Sequence, residues 1–402
     1  MKGRAQAKEP LFTRNFALCT LTGFCITIVF FMFYTGMSSY ASDVLGAGST
    51  VAGLVASIFI AGDLVARIFI GNRIGSVGPR KISAVCMCVG TAVTTLYFVS
   101  DSVASVCIVR FVHGMTYGAT ASAVNTMVAE GLPASRRGEG LGYFMLSYSF
   151  GSAIGPFLCM YLQSSGTYDD IFLIGLIASA AALVTVLLLS ETGRTAPAEK
   201  GHGIHVSDFI ERSSLTMSVV AFVMFFSYSG VLTFISPYGK ETGFAAYATV
   251  FFVVLSAGTL LCRLFLGKIY DIRGENVALI PSLVLYIAGM VMLGTVVSGA
   301  EMLVSAFFIG IMIAMLSSVA QAVIIRRAPR ERYGTAVSTY NVFTDLSYAV
   351  GPVANGFFIG IIGYGANYLL MAGVGTLGLV LYLVLHGIPV HRHPEKENTR
   401  EV

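Results

Sequence analysis

The chain has 402 residues, 55% of them hydrophobic and only 11% charged, with a formal net charge of +4. A soluble domain carries about 25% charged residues, so this chain cannot cover a water-facing surface. The charge excess is too small to read as a nucleic-acid footprint.

Apolar runs of about 20 residues, the length of a bilayer-spanning helix, occupy 16–40, 49–70, 82–99, 103–128, 139–162, 171–190, 215–238, 245–266, 277–297, 301–324, 335–361 and 366–387. They predict an all-α integral membrane protein with twelve transmembrane helices. The basic start (Lys2, Arg4, Lys8, Arg14) leads straight into the first run, without the pattern of a cleavable leader. Every second loop is basic: the first tail holds four Lys/Arg, 71–81 three, 129–139 two, 191–214 three, 267–276 two, 325–334 four and the last tail three. The opposite loops hold Lys240 alone, and Arg67, Arg110 and Arg263 lie within helices. This bias places both termini on the cytoplasmic side. Compactness and short loops suggest a bacterial inner membrane.

The polar stretch 191–214 is too short for a domain and reads as a cytoplasmic linker. It divides the chain into 1–190, a six-helix bundle, and 215–402, a second six-helix bundle with a tail. His202 and His205 in the linker, and His391 and His393 in the tail, read as solvated histidines, and no metal is expected. All seven Cys fall in apolar runs without a CxxC pair, as buried small hydrophobes do.

The two halves repeat one another at a constant offset of 196 residues. Gly62, Arg67, Gly71 and Gly78 return as Gly258, Arg263, Gly267 and Gly274. Phe111, Gly114, Pro133, Arg136 and Gly138 return as Phe307, Gly310, Pro329, Arg332 and Gly334, and Gly155-Pro156 as Gly351-Pro352. At an offset of 194, Tyr34-Thr35-Gly36 matches Tyr228-Ser229-Gly230. Duplication in a strongly apolar chain is the signature of a carrier made of two pseudo-symmetric halves.

Three regions carry chemistry. The loop after the second run reads Gly71-Asn-Arg-Ile-Gly75-Ser-Val-Gly78-Pro-Arg-Lys, and its repeat Gly267-Lys-Ile-Tyr-Asp271-Ile-Arg-Gly274. Asp63 and Arg67 stand one helical turn apart and can pair. The fourth run reads Arg110-Phe-Val-His113-Gly-Met-Thr-Tyr117. It puts Arg110, His113 and Tyr117 on one face, with Asn125 roughly along it. Arg110 lies roughly 10 Å inside, where a charge needs a wet cavity or a partner. Asp345 lies roughly 16 Å deep in the eleventh run. A desolvated carboxylate there, or His113 if hydrated, suits a proton carrier. The fifth run carries Gly151-x-x-x-Gly155-Pro156, a pattern of close packing and a missing N–H.

These regions resemble motifs of the major facilitator superfamily, and the resemblance covers nearly the whole chain. The resemblance implies the twelve-helix fold and alternating access. It also implies a conformational latch built on the second-run motif (Asp63, Arg67, Gly71, Gly78, Arg263, Gly267, Asp271, Gly274). Gly75 replaces the family's aspartate in the first copy, so the latch leans on Asp271. It implies proton coupling through Arg110, with Asp345 and His113, and an exporter-type bend at Gly151, Gly155 and Pro156, echoed by Gly351 and Pro352. Cys159-Met160 stands where that exporter motif has two glycines. Tyr34, Tyr117, Asn125 and Tyr228 become substrate-cavity candidates. The many aromatics suit an amphipathic solute.

There is no phosphate-binding Gly-rich loop and no catalytic motif. That leaves an ion gradient or the solute's own gradient as the driving force; the resemblance implies the proton gradient, without a cofactor. The expected partners are a small molecule, protons and lipid, and the chain is expected to act as a monomer. The sequence favours proton-coupled export. Uptake by a symporter or facilitator is the alternative, and a transporter-like receptor the remote one.

Overall fold

The computed structural model describes residues 10–71, 73–133, 136–190, 210–329 and 332–388, with only the backbone described for residues 71, 75, 138, 165 and 264–272. The described residues form twelve long helices. In the first half they are α1 (Arg14–Asp43), α2 (Ser49–Gly71), α3 (Pro79–Thr95, continued by a 3-10 turn at Leu96–Val99), α4 (Val103–Gly131), α5 (Arg137–Ser165) and α6 (Tyr168–Leu187). In the second half they are α7 (Leu215–Glu241), α8 (Ala245–Arg273), α9 (Glu275–Gly294) and α10 (Gly299–Arg327). The run Tyr333–Tyr382 then breaks at Gly363, with φ 79° and ψ 171°, into α11 (333–362) and α12 (364–382). A π turn at Leu383–Gly387 prolongs α12. Helices are the expected solution, because a helix satisfies its own backbone groups where lipid offers no partner.

The repeated residues are structural. Gly78 and Gly274 both have positive φ, 96° and 81°, and each turns the chain into the next helix (α3 and α9) where a side chain would be strained. A Cβ at Gly62 of α2 would strike the carbonyl oxygen of Phe111 in α4, and one at Gly258 of α8 would lie 2.6 Å from that of Phe307 in α10. The pairs Gly62–Phe111 and Gly258–Phe307 are therefore one helix crossing made twice. Packing of this kind, rather than water exclusion, holds helices together in lipid.

The two copies diverge after α2 and α8. The sequence suggests a loop at both places. Instead α8 runs on through Gly267 and Asp271 to Arg273, whereas α2 stops at Gly71 and a single turn, Ile74–Val77, follows. Glycines at 71, 75 and 78 before Pro79 interrupt the first copy, while Lys268-Ile-Tyr-Asp-Ile-Arg offers helix-compatible residues in the second. The side chain of Asp271, like residues 191–209 and the four histidines 202, 205, 391 and 393, lies outside the described residues.

Two compact units arise. Unit one is Met1–Phe33, Ala61–Pro156 and Thr167–Gly201; unit two is Tyr34–Ile60, Phe157–Gly166 and His202–Val402. Their borders cut through α1, α2 and α5, so the ends of these helices away from the basic loops belong to unit two.

Candidate functional site

Unit one holds three buried ionisable groups of its helices. Asp63 is 3% exposed, Arg110 0% and His113 5%. Asp63 and Arg67 form a two-pronged ion pair, Nε to Oδ1 at 2.8 Å and Nη2 to Oδ2 at 2.9 Å. A Cβ at Gly118 of α4 would strike Asp63 Oδ1, so that glycine admits the carboxylate between α2 and α4. Tyr148 of α5 lies within the electrostatic reach of the pair.

One turn of α4 away from Gly114, Arg110 hydrogen-bonds the hydroxyl of Tyr97, which is also 3.2 Å from His113 Nδ1. Tyr97 stacks on Phe172 of α6 at 5.5 Å, and Phe33 of α1 meets Tyr97 edge-on at 4.9 Å and His113 at 5.9 Å. The sequence left Arg110 needing either a wet cavity or a partner. Arg110 and His113 point into the aromatic interior of unit one, because the end of α3 supplies a phenol at their depth. Tyr117 is half-buried, stacked on Phe30 at 5.3 Å, and Asn125 is exposed.

In unit two, four aromatic side chains gather around helix α11. Tyr348 lies 6.1 Å from Tyr34, 6.4 Å from Tyr228 and 5.7 Å from Phe225, ring centroid to centroid. The Tyr34 hydroxyl donates to the Tyr348 carbonyl oxygen at 2.9 Å. Asp345 precedes Tyr348 by one turn on the same face and is half-buried. The proton-coupling candidates therefore divide, with Arg110 and His113 in unit one and Asp345 in unit two. Tyr97 and Tyr348 had no motif to reveal them. Spacing from Asp345 was the only available signal for Tyr348.

The proline-containing helices use their glycines for contact. A Cβ at Gly155 of α5 would sit 2.7 Å from the carbonyl oxygen of Ile28 in α1, and one at Gly151 2.8 Å from Thr27 Cβ. In the second copy, a Cβ at Gly351 would strike Ser229 Oγ of α7.

The end of unit two away from the basic loops is closed by direct contacts. Ser38 of α1 donates to the Thr233 carbonyl oxygen of α7 at 2.5 Å, and Lys240 pairs with Asp43 at 2.5 Å. Ser49 of α2 donates to the Gly356 carbonyl oxygen at 2.6 Å, and Ser236 of α7 donates to Gln163 of α5 at 2.6 Å. A Cβ at Gly53 would strike the carbonyl oxygen of Pro352. Lys240, the lone cation of the opposite loops, thus has a defined partner.

Long helices in a duplicated plan, all but α4 apolar enough to cross a membrane among the described residues, with one end of unit two sealed by helix contacts, define a polytopic membrane carrier. The chain belongs to the Major Facilitator Superfamily, whose sequence profile matches residues 19–300 and 277–402. It is a multi-pass integral membrane transporter and not an enzyme. It is 27% identical over 373 residues to the uncharacterised MFS-type transporter YhhS of Escherichia coli K12, covering 89% of each chain. It is 21% identical over 355 residues to the staphylopine export protein of Staphylococcus aureus Mu50, covering 85% of this chain and 87% of that protein. The crystal structure of a POT family transporter in complex with 5-aminolevulinic acid shares the fold with a TM-score of 0.76 at 14% identity, covering 92% of this chain and 95% of that one.

Proposed function

We propose that the protein is a secondary active exporter of a small organic molecule, driven by the proton gradient and working by alternating access as a monomer. The halves 1–190 and 215–402 rock about a midplane site, with the basic loops and both termini in the cytoplasm of a bacterial cell. The observation that carries proton coupling is the placement of Arg110, His113 and Asp345 inside the helices, the first two buried and Asp345 half-buried. Charges at membrane depth are costly and mark ion pathways. The seating of Gly151 and Gly155 on α1 and the resemblance to an export protein support the outward direction. No cofactor is required. On this reading the contacts of Ser38, Lys240, Ser49, Gly53 and Gln163 form the extracellular gate in its closed state. Asp271 holds the latch on the cytoplasmic side.

The test compares metabolites inside cells and in the medium, with and without the protein and with and without a protonophore. A solute that moves to the medium only when the proton gradient is intact supports the reading. Accumulation of the solute inside the cell replaces it with uptake.

A further inference from the structure

A groove of about 510 Å³ lies at the basic-loop end of unit two, where the start of α9 meets the π turn that prolongs α12. Val277, Ile280 and Pro281 form one wall, and Leu383, Gly387 and Ile388 the other. Pro281 has no N–H to return to the Val277 carbonyl oxygen, which leaves an acceptor on the first wall. The groove opens onto an apolar face. Val277, Val284 and Val291 recur every two turns of α9 and are exposed, as are Leu377, Val380 and Val384 on the other side. In a chain that spans a bilayer, such a face meets acyl chains.

Buried polar contacts behind the groove fix its walls. Asn276 donates to the Gly387 carbonyl oxygen at 2.9 Å and accepts from the Tyr382 hydroxyl at 2.7 Å. Glu275, 4% exposed, takes Arg326 of α10 at 2.9 Å and the fully buried His386 at 3.1 Å. The π turn is thereby tied to the first turn of α9 before any ligand arrives. The rim is positive. At the basic-loop ends of unit two the described side chains include Arg212, Arg273, Arg326, Arg327 and Arg332, against the carboxylates Glu211 and Glu275. Each carboxylate already has an arginine, Arg332 and Arg326 respectively, so the excess charge is cationic. Arg273 stands three residues before Asn276, and Arg326 meets the residue next to it. Residues 389–402 follow the groove in the chain, but they are mostly polar or charged and do not suit apolar walls.

We propose that this groove binds an anionic phospholipid of the cytoplasmic leaflet, with an acyl chain between α9 and the end of α12 and the phosphate at Arg273 and Arg326. The leaflet follows from the orientation proposed above, while the site itself is independent of transport direction. Its selectivity lies in the headgroup. An acyl chain gains little by leaving bulk lipid for an apolar wall, whereas each arginine near an anionic headgroup strengthens binding about fivefold.

The chain has no Trp, so one introduced Trp is its sole indole emitter. Val277→Trp reports the groove. Val284→Trp, two turns on along the same exposed face and not on the groove walls, reports ordinary lipid contact. Each full-length variant is assembled into phosphatidylcholine nanodiscs with rising fractions of brominated phosphatidylglycerol. Quenching in Val277→Trp should reach half its maximum at a phosphatidylglycerol fraction about fivefold or more below that in Val284→Trp. Adding Arg273→Gln should raise the groove midpoint about fivefold; Arg273 is exposed, so the fold survives its loss. Equal midpoints at the two positions overturn the proposal, as does a groove midpoint unmoved by both Arg273→Gln and Arg326→Gln. A preference abolished by inorganic phosphate, but not by chloride at the same ionic strength, shows a free-anion site and overturns it as well. The measurement requires no transport, so its failure leaves the exporter reading standing, and failure of the metabolite test leaves the lipid site standing.

Discussion

Gly53→Ala should unlock the end of unit two that is sealed in this structure. A methyl group on Gly53 of α2 would overlap the carbonyl oxygen of Pro352 and lie 2.6 Å from its carbonyl carbon. These are backbone atoms of α11, which cannot rotate away as a side chain can. The two helices must separate, and overpacking of this kind costs about 1–3 kcal/mol. The cost falls only on the conformation in which α2 and α11 touch. The ratio of open to closed forms should therefore rise by about 5- to 150-fold. The assay uses a protein whose seven native cysteines are replaced and which carries Ser38→Cys as a probe. Ser38 is 1% exposed and sealed against Thr233. Its labelling by a membrane-impermeant maleimide from outside the cell should accelerate in the Gly53→Ala background. Gly48→Ala is the control, since a Cβ there meets nothing within 4 Å. Equal labelling rates in folded Gly53→Ala and control proteins would refute the argument that the α2–α11 crossing holds the gate shut.

Lys240→Gln should raise the same labelling rate by no more than about fivefold, because its partner Asp43 and Lys240 itself are 39% and 47% exposed and such pairs are weak; a larger effect would show that the ion pair dominates the gate. Gly118→Ala should reproduce the transport defect of Asp63→Asn, since either change disturbs the Asp63–Arg67 pair, and a normal Gly118→Ala transport rate would break that link. Glu211 accepts hydrogen bonds from the Ser213 backbone N–H and hydroxyl and pairs with Arg332 at 2.8 Å. The backbone hydrogen bond first, working against burial, and then the Ser213 hydroxyl and Arg332 hold its carboxyl below the usual carboxylate range. Its folded-state value is depressed, so its contribution to stability is complete above the ordinary carboxylate pKa and is lost as pH falls through and below that value. Glu211→Gln should therefore lower the thermal unfolding temperature at neutral pH, with the gap to the parent protein closing on acidification, and a gap independent of pH would exclude the linkage.

The helices and the family were legible from composition and repetition because both rest on local rules. Bilayer thickness sets the run length, and duplication copies the packing glycines. Gly78 and Gly274 could be marked from the sequence because a positive φ requires the same residue in each copy. The pairing of Asp63 with Arg67 was legible because one helical turn separates them. The surroundings of Arg110 were not, since Tyr97 comes from the end of α3 and Phe172 from α6, and only tertiary packing brings them to its depth. The continuation of α8 through its motif was missed because the family pattern reads as a loop in the first copy, where three glycines make it one.

Comparing the copies separates scaffold from chemistry. Positions that agree, such as Gly62 and Gly258 or Gly155 and Gly351, are places where a backbone or side chain of another helix passes too close for a Cβ. Several positions that disagree carry ionisable groups. At the 196-residue offset Asp63 corresponds to Thr259, Arg110 to Ala306, His113 to Ile309 and Tyr97 to Leu293. In the other direction, Asp345 corresponds to Ser149 and Tyr348 to Ser152. Thr259 shows what the change leaves behind: its hydroxyl donates to the Gly310 carbonyl oxygen at 3.0 Å, a neutral bond between α8 and α10. Once the backbone crossings were fixed, each half could lose groups that the other retained, because the cost of a buried charge is avoided wherever that charge has no task. The first half kept Arg110, His113 and the Asp63–Arg67 pair, and the second kept Asp345 beside the rings and a pair of its own, Glu275 with Arg326 and His386.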